Sequence, residues 1–270
     1  MEKRISFIGG GNMGGAILGG MLKAGLVDRN LVTVADISAP GREKIEKTYG
    51  VHVTGSNTEA AENADILFLA VKPFILPGVL EEIQGKVPQH TIIVSIVAGQ
   101  SLDSLQAAFG EHMGIVRVMP NTPALVGEGM AAVCLNAEME KEEHKEQVDE
   151  ILQIFTSFGQ CELVPERLMD AVTGVSGSSP AYVFMFIEAM ADAAVMQGMP
   201  RAQAYKFAAQ AVLGSAKMVL ETGMHPGALK DMVTSPSGTT IEGVAALERG
   251  GMRAAVIEAV NVAAEKSRNL

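Results

Sequence analysis

A glycine-rich turn near the start of the chain constrains the fold more than any other stretch. Ile5 to Ile8 form a short apolar run that suits a buried parallel strand, and Gly9-x-Gly11-x-x-Gly14 follows at once. A helical pattern of apolar residues continues beyond the glycines. Strand, glycine turn and helix together are typical of dinucleotide binding, because the glycines permit a tight turn, a close approach of backbone N–H groups to a pyrophosphate, and close helix packing. The helix N-terminus would then face the anion with free N–H groups.

Composition narrows the class of protein. The 270 residues are enough for one large or two ordinary domains, and 48% hydrophobic with 19% charged residues is typical of a soluble globular protein. The net charge of −10, with no compensating basic cluster, argues against a nucleic-acid partner. No window is predicted to reach the charge-free length of a membrane span, so no membrane partner is expected. Cys134 and Cys161 form no C-x-x-C pair, which indicates a reducing, cytoplasmic compartment.

The second predicted strand runs from Leu31 to Asp36 and ends on an acidic residue about 20 residues beyond the glycines. A doubly wound sheet places at this point the acid that binds a ribose hydroxyl, which favours NAD. The alternative is an ordinary strand-end Asp that begins a turn. Ser38, Arg42 and Lys44 follow and would suit a 2′-phosphate, so NAD and NADP both stay open on these residues.

Three more apolar runs continue the predicted sheet, at Asp65 to Val71, Thr91 to Val97 and Ile115 to Met119. Open α/β sheets bind ligands at the carboxyl ends of their strands. Lys72 and Asn121 follow two of these ends and are candidates for a nicotinamide pocket. Each is equally well explained as a solvated or capping residue.

Beyond about residue 165 the strand-like runs stop, and helices separated by glycine and proline follow. We therefore predict a dinucleotide-binding domain at 1–164 and an all-helical domain at 165–270. Ser179 followed by Pro180 predicts a helix N-cap. The helix that begins there, Ala181 to Met196, is apolar almost all round and must be buried on most sides. A partner subunit is the expected cover, and burial against the first domain is the alternative.

Four motifs follow one another along the chain. DILFLAVKP stands at 65–73, MPNTP at 119–123, GVSGSSPAY at 174–182 and LKDMVTSPSGTT at 229–240. They resemble motifs of the pyrroline-5-carboxylate reductase family, whose helical half carries GSGPAY and LRDxVxSPGGTT. The last two motifs are the specific ones, and the resemblance covers the whole chain. Ser179 and Ser237 each replace a family glycine, which constrains the loop backbone differently.

The resemblance implies an α/β fold, with an N-terminal Rossmann doubly wound sheet followed by an all-helical dimerisation domain. It implies hydride transfer from NADPH, or from NADH as Asp36 would allow, to the C=N bond of 1-pyrroline-5-carboxylate, which gives L-proline without a metal. Family members are generally intertwined dimers, often assembled further into decamers. Thr173 resembles the catalytic hydroxyl that the family places near the imine nitrogen, as a proton donor or as a positioning group.

The same comparison of motifs implies the remaining site residues. Substrate binding is expected at Ser235, Thr239 and Thr240, because a Gly/Ser/Thr loop there runs into a helix N-terminus and would suit a carboxylate. A merely well-capped helix is the alternative. Cofactor contacts are expected at Ile8, Gly9, Gly10, Gly11, Asn12, Met13, Asp36, Asn57, Ala70, Val71, Lys72, Pro73, Val97, Ala98, Gly99 and Asn121.

Two other functions compete with this one. The first is a regulatory NAD(P)-binding relative without turnover, which the presence of Thr173 and the three substrate-binding residues disfavours. The second is a related imine or 3-hydroxyacid dehydrogenase. The 3-hydroxyacid type carries a catalytic lysine on a helix, and the stretch 174–184 lacks one. No histidine has a partner at metal-ligand spacing, so all five are predicted to be structural or surface residues: His52, His90, His112, His144 and His225.

Overall fold

The computed structural model describes residues 1–269, which divide into two compact units. The first unit comprises residues 1–177 and 262–269, and the second comprises Ser178–Asn261. The segment 165–177, which the sequence prediction assigned to the second domain, lies in the first compact unit, where Met169 is buried in a hydrophobic cluster of the sheet. The functional boundary after residue 164 stays a prediction.

Strands and helices alternate along most of the first unit. Its strands are β1 (Ile5–Ile8), β2 (Val32–Ala35), β3 (His52–Thr54), β4 (Ile66–Leu69), β5 (Ile92–Ser95), β6 (Ile115–Met119), β7 (Gly129–Leu135) and β8 (Gly159–Leu163). Its helices are α1 (Asn12–Lys23), α2 (Ala39–Tyr49), α3 (Asn57–Glu62), α4 (Leu76–Ile83), α5 (Leu102–Phe109), α6 (Lys145–Thr156) and α7 (Met169–Val172).

The eight strands form one sheet in the order β3-β2-β1-β4-β5-β6-β7-β8. Strands β1 to β6 are parallel, β7 runs antiparallel to β6, and β8 pairs parallel with β7. The strand order reverses beside β1, which is where a doubly wound sheet opens a crevice for a ligand. The predicted Rossmann doubly wound sheet is therefore confirmed.

The apolar runs of the sheet fill two cores, one on each face. In β4, Ile66 and Phe68 enter one hydrophobic cluster, whereas Leu67 and Leu69 enter the other. This alternation follows from the two-residue period of a strand with both faces covered. Phe68 stacks on Phe7 of β1, with ring centroids 4.6 Å apart. The central strands therefore lock together at the position from which the glycine turn departs.

Polar side chains fasten the segment that follows β8. The Glu166 Oε1 atom accepts a hydrogen bond from the Leu102 N–H at 2.7 Å and one from Arg117 Nη1 at 2.8 Å. Glu166 thereby joins the start of α5 to β6, with the Arg117 side chain only 14% exposed. The charge-assisted hydrogen bond between Glu166 and the largely buried Arg117 side chain stabilises the fold more than an exposed surface ion pair would.

The second unit is helical throughout its regular structure. It contains α8 (Ser179–Met196), α9 (Arg201–Thr222), α10 (Pro226–Met232), α11 (Thr239–Arg249) and the first part of α12 (Met252–Arg268). The end of α12 belongs to the first unit, where Ser267 Oγ donates to Asp170 Oδ1 at 2.7 Å. The predicted all-helical character of this part of the chain is confirmed.

The apolar side chains of α8 are largely exposed in the single chain. Ala191 is the buried residue of this helix, whereas Phe184 is 61% exposed and Met185 is 69% exposed. Exposure on this scale is unusual for a helix of such composition. A surface of this kind indicates an interaction site.

Two details of the α8 region differ from the sequence prediction. Ser178, not Ser179, is the N-cap residue, and its side chain makes no capping hydrogen bond. A turn of π-helix, Thr173–Gly177, leads into α8 directly from α7, so no free helix start needs a cap. The combined stretch Glu166–Met196 is long and apolar enough, by length and composition alone, to cross a membrane. The prediction that no such stretch exists was therefore wrong, although an apolar interface helix meets the same test.

Candidate active site

A cleft of about 890 Å³ opens along the carboxyl ends of the parallel strands in the first unit. Residues that follow β1, β2, β4, β5 and β6 contribute to its wall. Twelve of the predicted cofactor contacts line it: Ile8, Gly9, Gly11, Asn12, Met13, Asp36, Asn57, Ala70, Val71, Lys72, Pro73 and Ala98. The sequence analysis therefore located the cleft, and binding of a dinucleotide there stays a prediction.

The three motif glycines have different surroundings. Gly9 has φ +103°, and a Cβ atom there would lie 2.5 Å from the Ala70 carbonyl oxygen. A Cβ on Gly14 would lie 2.6 Å from the Gly9 carbonyl oxygen. A Cβ on Gly11 would meet no heavy atom within 4 Å, because Gly11 faces the open cleft and precedes the first residue of α1. Gly9 and Gly14 thus permit close packing, whereas Gly11 keeps space free for a ligand.

Asp36 holds the glycine turn as well as facing the cleft. Its Oδ2 atom accepts a hydrogen bond from the Gly10 N–H at 2.9 Å, and its Oδ1 atom accepts one from the Ser38 N–H at 2.8 Å. Arg42 donates to the Asp36 and Ile37 carbonyl oxygens, at 2.7 and 3.2 Å. The carboxylate keeps further acceptor capacity for a ribose hydroxyl. The strand-end interpretation and the ribose-binding interpretation of Asp36 are therefore compatible.

Helix α4 supplies part of the wall that the sequence analysis did not identify. Gly78, Val79 and Glu82 lie on one helical face toward the cleft. Glu82 Oε2 accepts a hydrogen bond from the Asn57 side-chain amide at 2.6 Å. The other unidentified lining residues are Ala35, Ile37, Ile75, Ile96, Thr122 and Leu125. Helical spacing was the available signal on α4, but the same spacing also describes ordinary core packing.

Four predicted cofactor residues lie off the cleft lining, namely Gly10, Val97, Gly99 and Asn121. The side of Gly10 that would carry a Cβ faces Ile45 at 2.1 Å. Val97 is buried, at 4% exposure. The Asn121 side chain is occupied by hydrogen bonds to Met130 and Ser176. Any role of these four in cofactor binding stays a prediction.

The candidate catalytic residue Thr173 begins the π turn in the first unit. Its Oγ1 atom donates a hydrogen bond to the Met169 carbonyl oxygen at 2.9 Å. The hydroxyl proton is therefore engaged, and the oxygen lone pairs can accept a further hydrogen bond. Single π turns inside helices often occur at functional sites. The geometry suits Thr173 as an acceptor for an N–H group.

The candidate substrate residues lie in the second unit. Ser235, Thr239 and Thr240 are exposed, and Gly238 is the N-cap of α11 with no side-chain capping bond. The Gly238 N–H donates to the Ser235 carbonyl oxygen at 3.1 Å, which closes a tight turn. Ser237 occupies the third position of that turn with φ +58°, a left-handed conformation that favours glycine. The first N–H groups of α11 are thus available to an anion.

Other reactive side chains give no second centre in residues 1–269. Burial raises the pKa of the Cys134 and Cys161 thiols to about 11, so neither is a thiolate nucleophile at neutral pH. His144 lies 3.3 Å from Glu138, because the β7–α6 connection folds back. Glu138 Oε1 and Oε2 also accept hydrogen bonds from Lys141, and Glu143 is 70% exposed, which describes a surface ion-pair cluster.

Two family profiles match the chain. The profile described as pyrroline-5-carboxylate reductase dimerisation covers residues 166–270, and the one described as NADP oxidoreductase, coenzyme F420-dependent, covers residues 4–99. The pyrroline-5-carboxylate reductase of Escherichia coli (strain K12) is 55% identical over 270 residues, which is 100% of this chain and 99% of that protein.

Two solved structures have folds similar to that of this chain over nearly its whole length. A Coxiella burnetii pyrroline-5-carboxylate reductase has a TM-score of 0.90 at 33% identity and covers 100% of this chain and 98% of its own. The Plasmodium falciparum pyrroline carboxylate reductase, solved with NADP bound, has a TM-score of 0.88 at 34% identity and covers 99% of this chain and 97% of its own.

The environments of Gly11 and Gly9 predict that one alanine substitution weakens cofactor binding and the other destabilises the fold. Gly11→Ala should leave the melting temperature nearly unchanged, because the methyl group enters free space. That methyl group should raise the dissociation constants of NADPH and NADH by about tenfold or more. Gly9→Ala should instead destabilise the fold, given its φ of +103° and the 2.5 Å approach to Ala70. Fluorescence titration and thermal melts measure both; unchanged affinity in Gly11→Ala would show that Gly11 does not face the dinucleotide.

The left-handed conformation of Ser237 predicts a stabilising substitution. Ser237→Gly should raise the free energy of unfolding by roughly 0.5–1 kcal/mol, since relief of about 1–2 kcal/mol of left-handed strain exceeds the extra entropy of an unfolded glycine. Ser215→Gly in the exposed interior of α9 is the control and should be destabilising. Urea unfolding at equal protein concentration compares the two; destabilisation by both would contradict the strain at Ser237.

Proposed function

The chain belongs to the pyrroline-5-carboxylate reductase family, and on that basis we propose that it reduces 1-pyrroline-5-carboxylate to L-proline. The family match over the full length carries the proposal, because it includes both the strand-end cleft and the motifs of the helical unit. The reaction delivers a hydride from NAD(P)H to the carbon of the C=N bond. The nitrogen carries a proton, which it keeps in the amine product. The products are proline and the oxidised nicotinamide.

The cleft fits a dinucleotide on the chain's own geometry. Gly11 leaves open space at the N-terminus of α1, where free N–H groups and the helix dipole favour a pyrophosphate. NAD(P)H supplies the hydride when bound. Asp36 at the β2 end suits the ribose hydroxyl of NADH, whereas the Plasmodium relative was solved with NADP. We therefore propose that both cofactors are accepted.

We propose that Thr173 orients the substrate ring: its Oγ1 atom accepts a hydrogen bond from the N–H group of the protonated imine. Its hydroxyl already donates a hydrogen bond to the Met169 carbonyl oxygen, so the Oγ1 lone pairs remain to accept a further hydrogen bond. A protonated imine and the amine product each carry an N–H group that can donate to such an oxygen. A fixed acceptor holds the ring in one orientation during hydride transfer.

The substrate carboxylate is assigned in this proposal to the turn before α11. Thr239 and Thr240 offer N–H groups at the uncapped start of that helix. Thr240 also offers its side-chain hydroxyl, and Ser235 offers a hydroxyl in the same turn. Each hydrogen bond to a charged group contributes about 1.5–3 kcal/mol. The alternative, a merely well-capped helix, predicts no effect of these residues on imine binding, and the Gly238 N-cap has no side-chain capping bond.

We further propose a homodimer in the cytoplasm, formed through the helical unit, with higher assemblies such as a decamer built from it. The dimerisation profile at residues 166–270 and the exposed apolar side chains of α8 support this assembly. Two free cysteines suit a reducing compartment. The net charge of −10 disfavours a nucleic-acid partner, and a dimer would cover the apolar helix that otherwise resembles a membrane span.

The activity is tested with purified protein, 1-pyrroline-5-carboxylate and each reduced cofactor. Loss of NADPH or NADH absorbance should match the proline formed, one for one. Thr240→Ala should lower kcat/KM for the imine by roughly one to two orders of magnitude, with the dinucleotide dissociation constant unchanged. Thr173→Ala should act mainly on kcat. Absence of turnover in the native protein, despite dinucleotide binding, would support the regulatory alternative.

The assembly is tested by light scattering. The native chain of 28.4 kDa should elute with at least twice that mass. Phe184→Asp should dissociate or unfold the assembly, because a charge in an apolar interface lacks water and a partner. Lys86→Asp, on an exposed turn of the first unit, is the matched control and should keep the native mass. A soluble, active native monomer would contradict the dimer.

A further inference from the structure

We propose that Asn121 is a positioning residue, which holds the π turn that carries Thr173 against the carboxyl end of β6. The inference rests on the proposed function, because Thr173 is catalytic only within it. Asn121 was expected to contact the cofactor. The structure instead gives its side chain a set of contacts within the protein.

The side-chain amide of Asn121 connects two segments of the first unit. Its Oδ1 atom accepts a hydrogen bond from the Met130 N–H at 2.8 Å. Its Nδ2 atom donates to the Ser176 carbonyl oxygen and to Ser176 Oγ, each at 3.2 Å. A backbone donor on one side and a carbonyl acceptor on the other define the orientation of the amide. Only a side chain with both functions satisfies the two segments at once.

The contact reaches the π turn close to Thr173. Ser176 and Thr173 belong to the same five-residue turn, Thr173–Gly177. A Cβ on Gly177 would lie 2.5 Å from the Met119 methyl carbon and 3.8 Å from the Thr173 methyl carbon. The turn therefore packs on Met119 while Asn121 bonds it from the same strand end. A π turn has weaker internal geometry than an α-helix, so an external tether matters for its position.

The tether also joins the turn to the cleft. Thr122 and Leu125, on the loop that begins with Asn121, line the cleft together with Ala98 after β5. Asp36 lies on the opposite side of the glycine turn in the strand order, at the β2 end. A dinucleotide with its adenosine ribose at Asp36 therefore directs its nicotinamide toward the β5 and β6 ends. Asn121 thus couples the backbone that borders the nicotinamide to the turn that presents Thr173.

Asn136 offers a matched control in the same sheet. Its Oδ1 atom accepts hydrogen bonds from the Ile115 and Met139 N–H groups, and its Nδ2 atom donates to the Met113 carbonyl oxygen. It is buried at 5% exposure and lies at the amino end of β6, at the edge opposite Asn121. Aspartate at either position keeps the acceptor and loses the donor. The two substitutions therefore remove similar bonds from opposite edges.

The experiment compares Asn121→Asp with Asn136→Asp in the full-length protein. Asn121→Asp should lower kcat by roughly tenfold or more, because a small displacement of a reacting partner has a large effect on rate. The KM for the imine and the dissociation constant of NADPH should stay within about twofold. Asn136→Asp should lower the melting temperature but keep kcat within about twofold. Asn121→Ala, which adds no charge, should repeat the effect on kcat.

A double-mutant cycle separates positioning from general stability. In a Thr173→Ala background, Asn121→Asp should change kcat by less than about twofold, because its effect passes through Thr173. A full additional loss in that background would overturn the inference. Equal losses of kcat in Asn121→Asp and Asn136→Asp would overturn it as well. A loss of NADPH affinity as large as the loss of kcat would instead make Asn121 a cofactor contact.

Hydrogen–deuterium exchange tests the tether without any reaction. A peptide covering residues 169–177 should exchange roughly threefold faster or more in Asn121→Asp than in the native protein, and at the native rate in Asn136→Asp. Unchanged exchange in both variants would overturn the tether while leaving the proposed function intact. Failure of the native protein to reduce the imine would overturn the function while the exchange comparison still decides the tether.

Discussion

The close approach of the glycine turn to the neighbouring strand is the constraint on which the first unit and its cleft depend. Gly9 lies where any side chain would collide with the Ala70 carbonyl oxygen, and Gly14 lies equally close to Gly9. This contact brings the start of α1 down to the sheet. Asp36 then bonds the Gly10 N–H from the β2 end, so the turn is held from both neighbouring strands. The cleft is the space left above this packed junction.

Much of this arrangement could be predicted because it depends on local chemistry. The bounds of β1 and β6 are those that the apolar runs indicated, and two of the three motif glycines, Gly9 and Gly11, line the cleft. Strands β3 and β7 were not identified. The first has three residues, and the second, with the sequence GMAAVCL, is too poor in β-branched residues to give a strand signal. Its pairing between β6 and β8 depends on distant partners that local patterns do not encode.

The site residues show the same division between local and distant causes. The glycine motif, the strand ends and the family motifs together identified twelve lining residues, because these positions follow from the local backbone of a doubly wound sheet. The role of Asn121 could not be deduced, because its partners Met130 and Ser176 are brought to it only by the fold. The N-cap assigned to Ser179 failed for a related reason. Serine before proline is a good cap signal, but a preceding π turn removes the helix start that needs one.

The path of α12 has a consequence for the order in which this chain can fold during synthesis. The helix begins in the second unit, and its last residues complete the first, where Ser267 bonds Asp170. The whole second unit is therefore an insertion within the first. Residues 262–269 must leave the ribosome before Asp170 gains that partner, so the first unit begins to emerge first but is completed last. The helical unit, whose residues are contiguous, has no such delay.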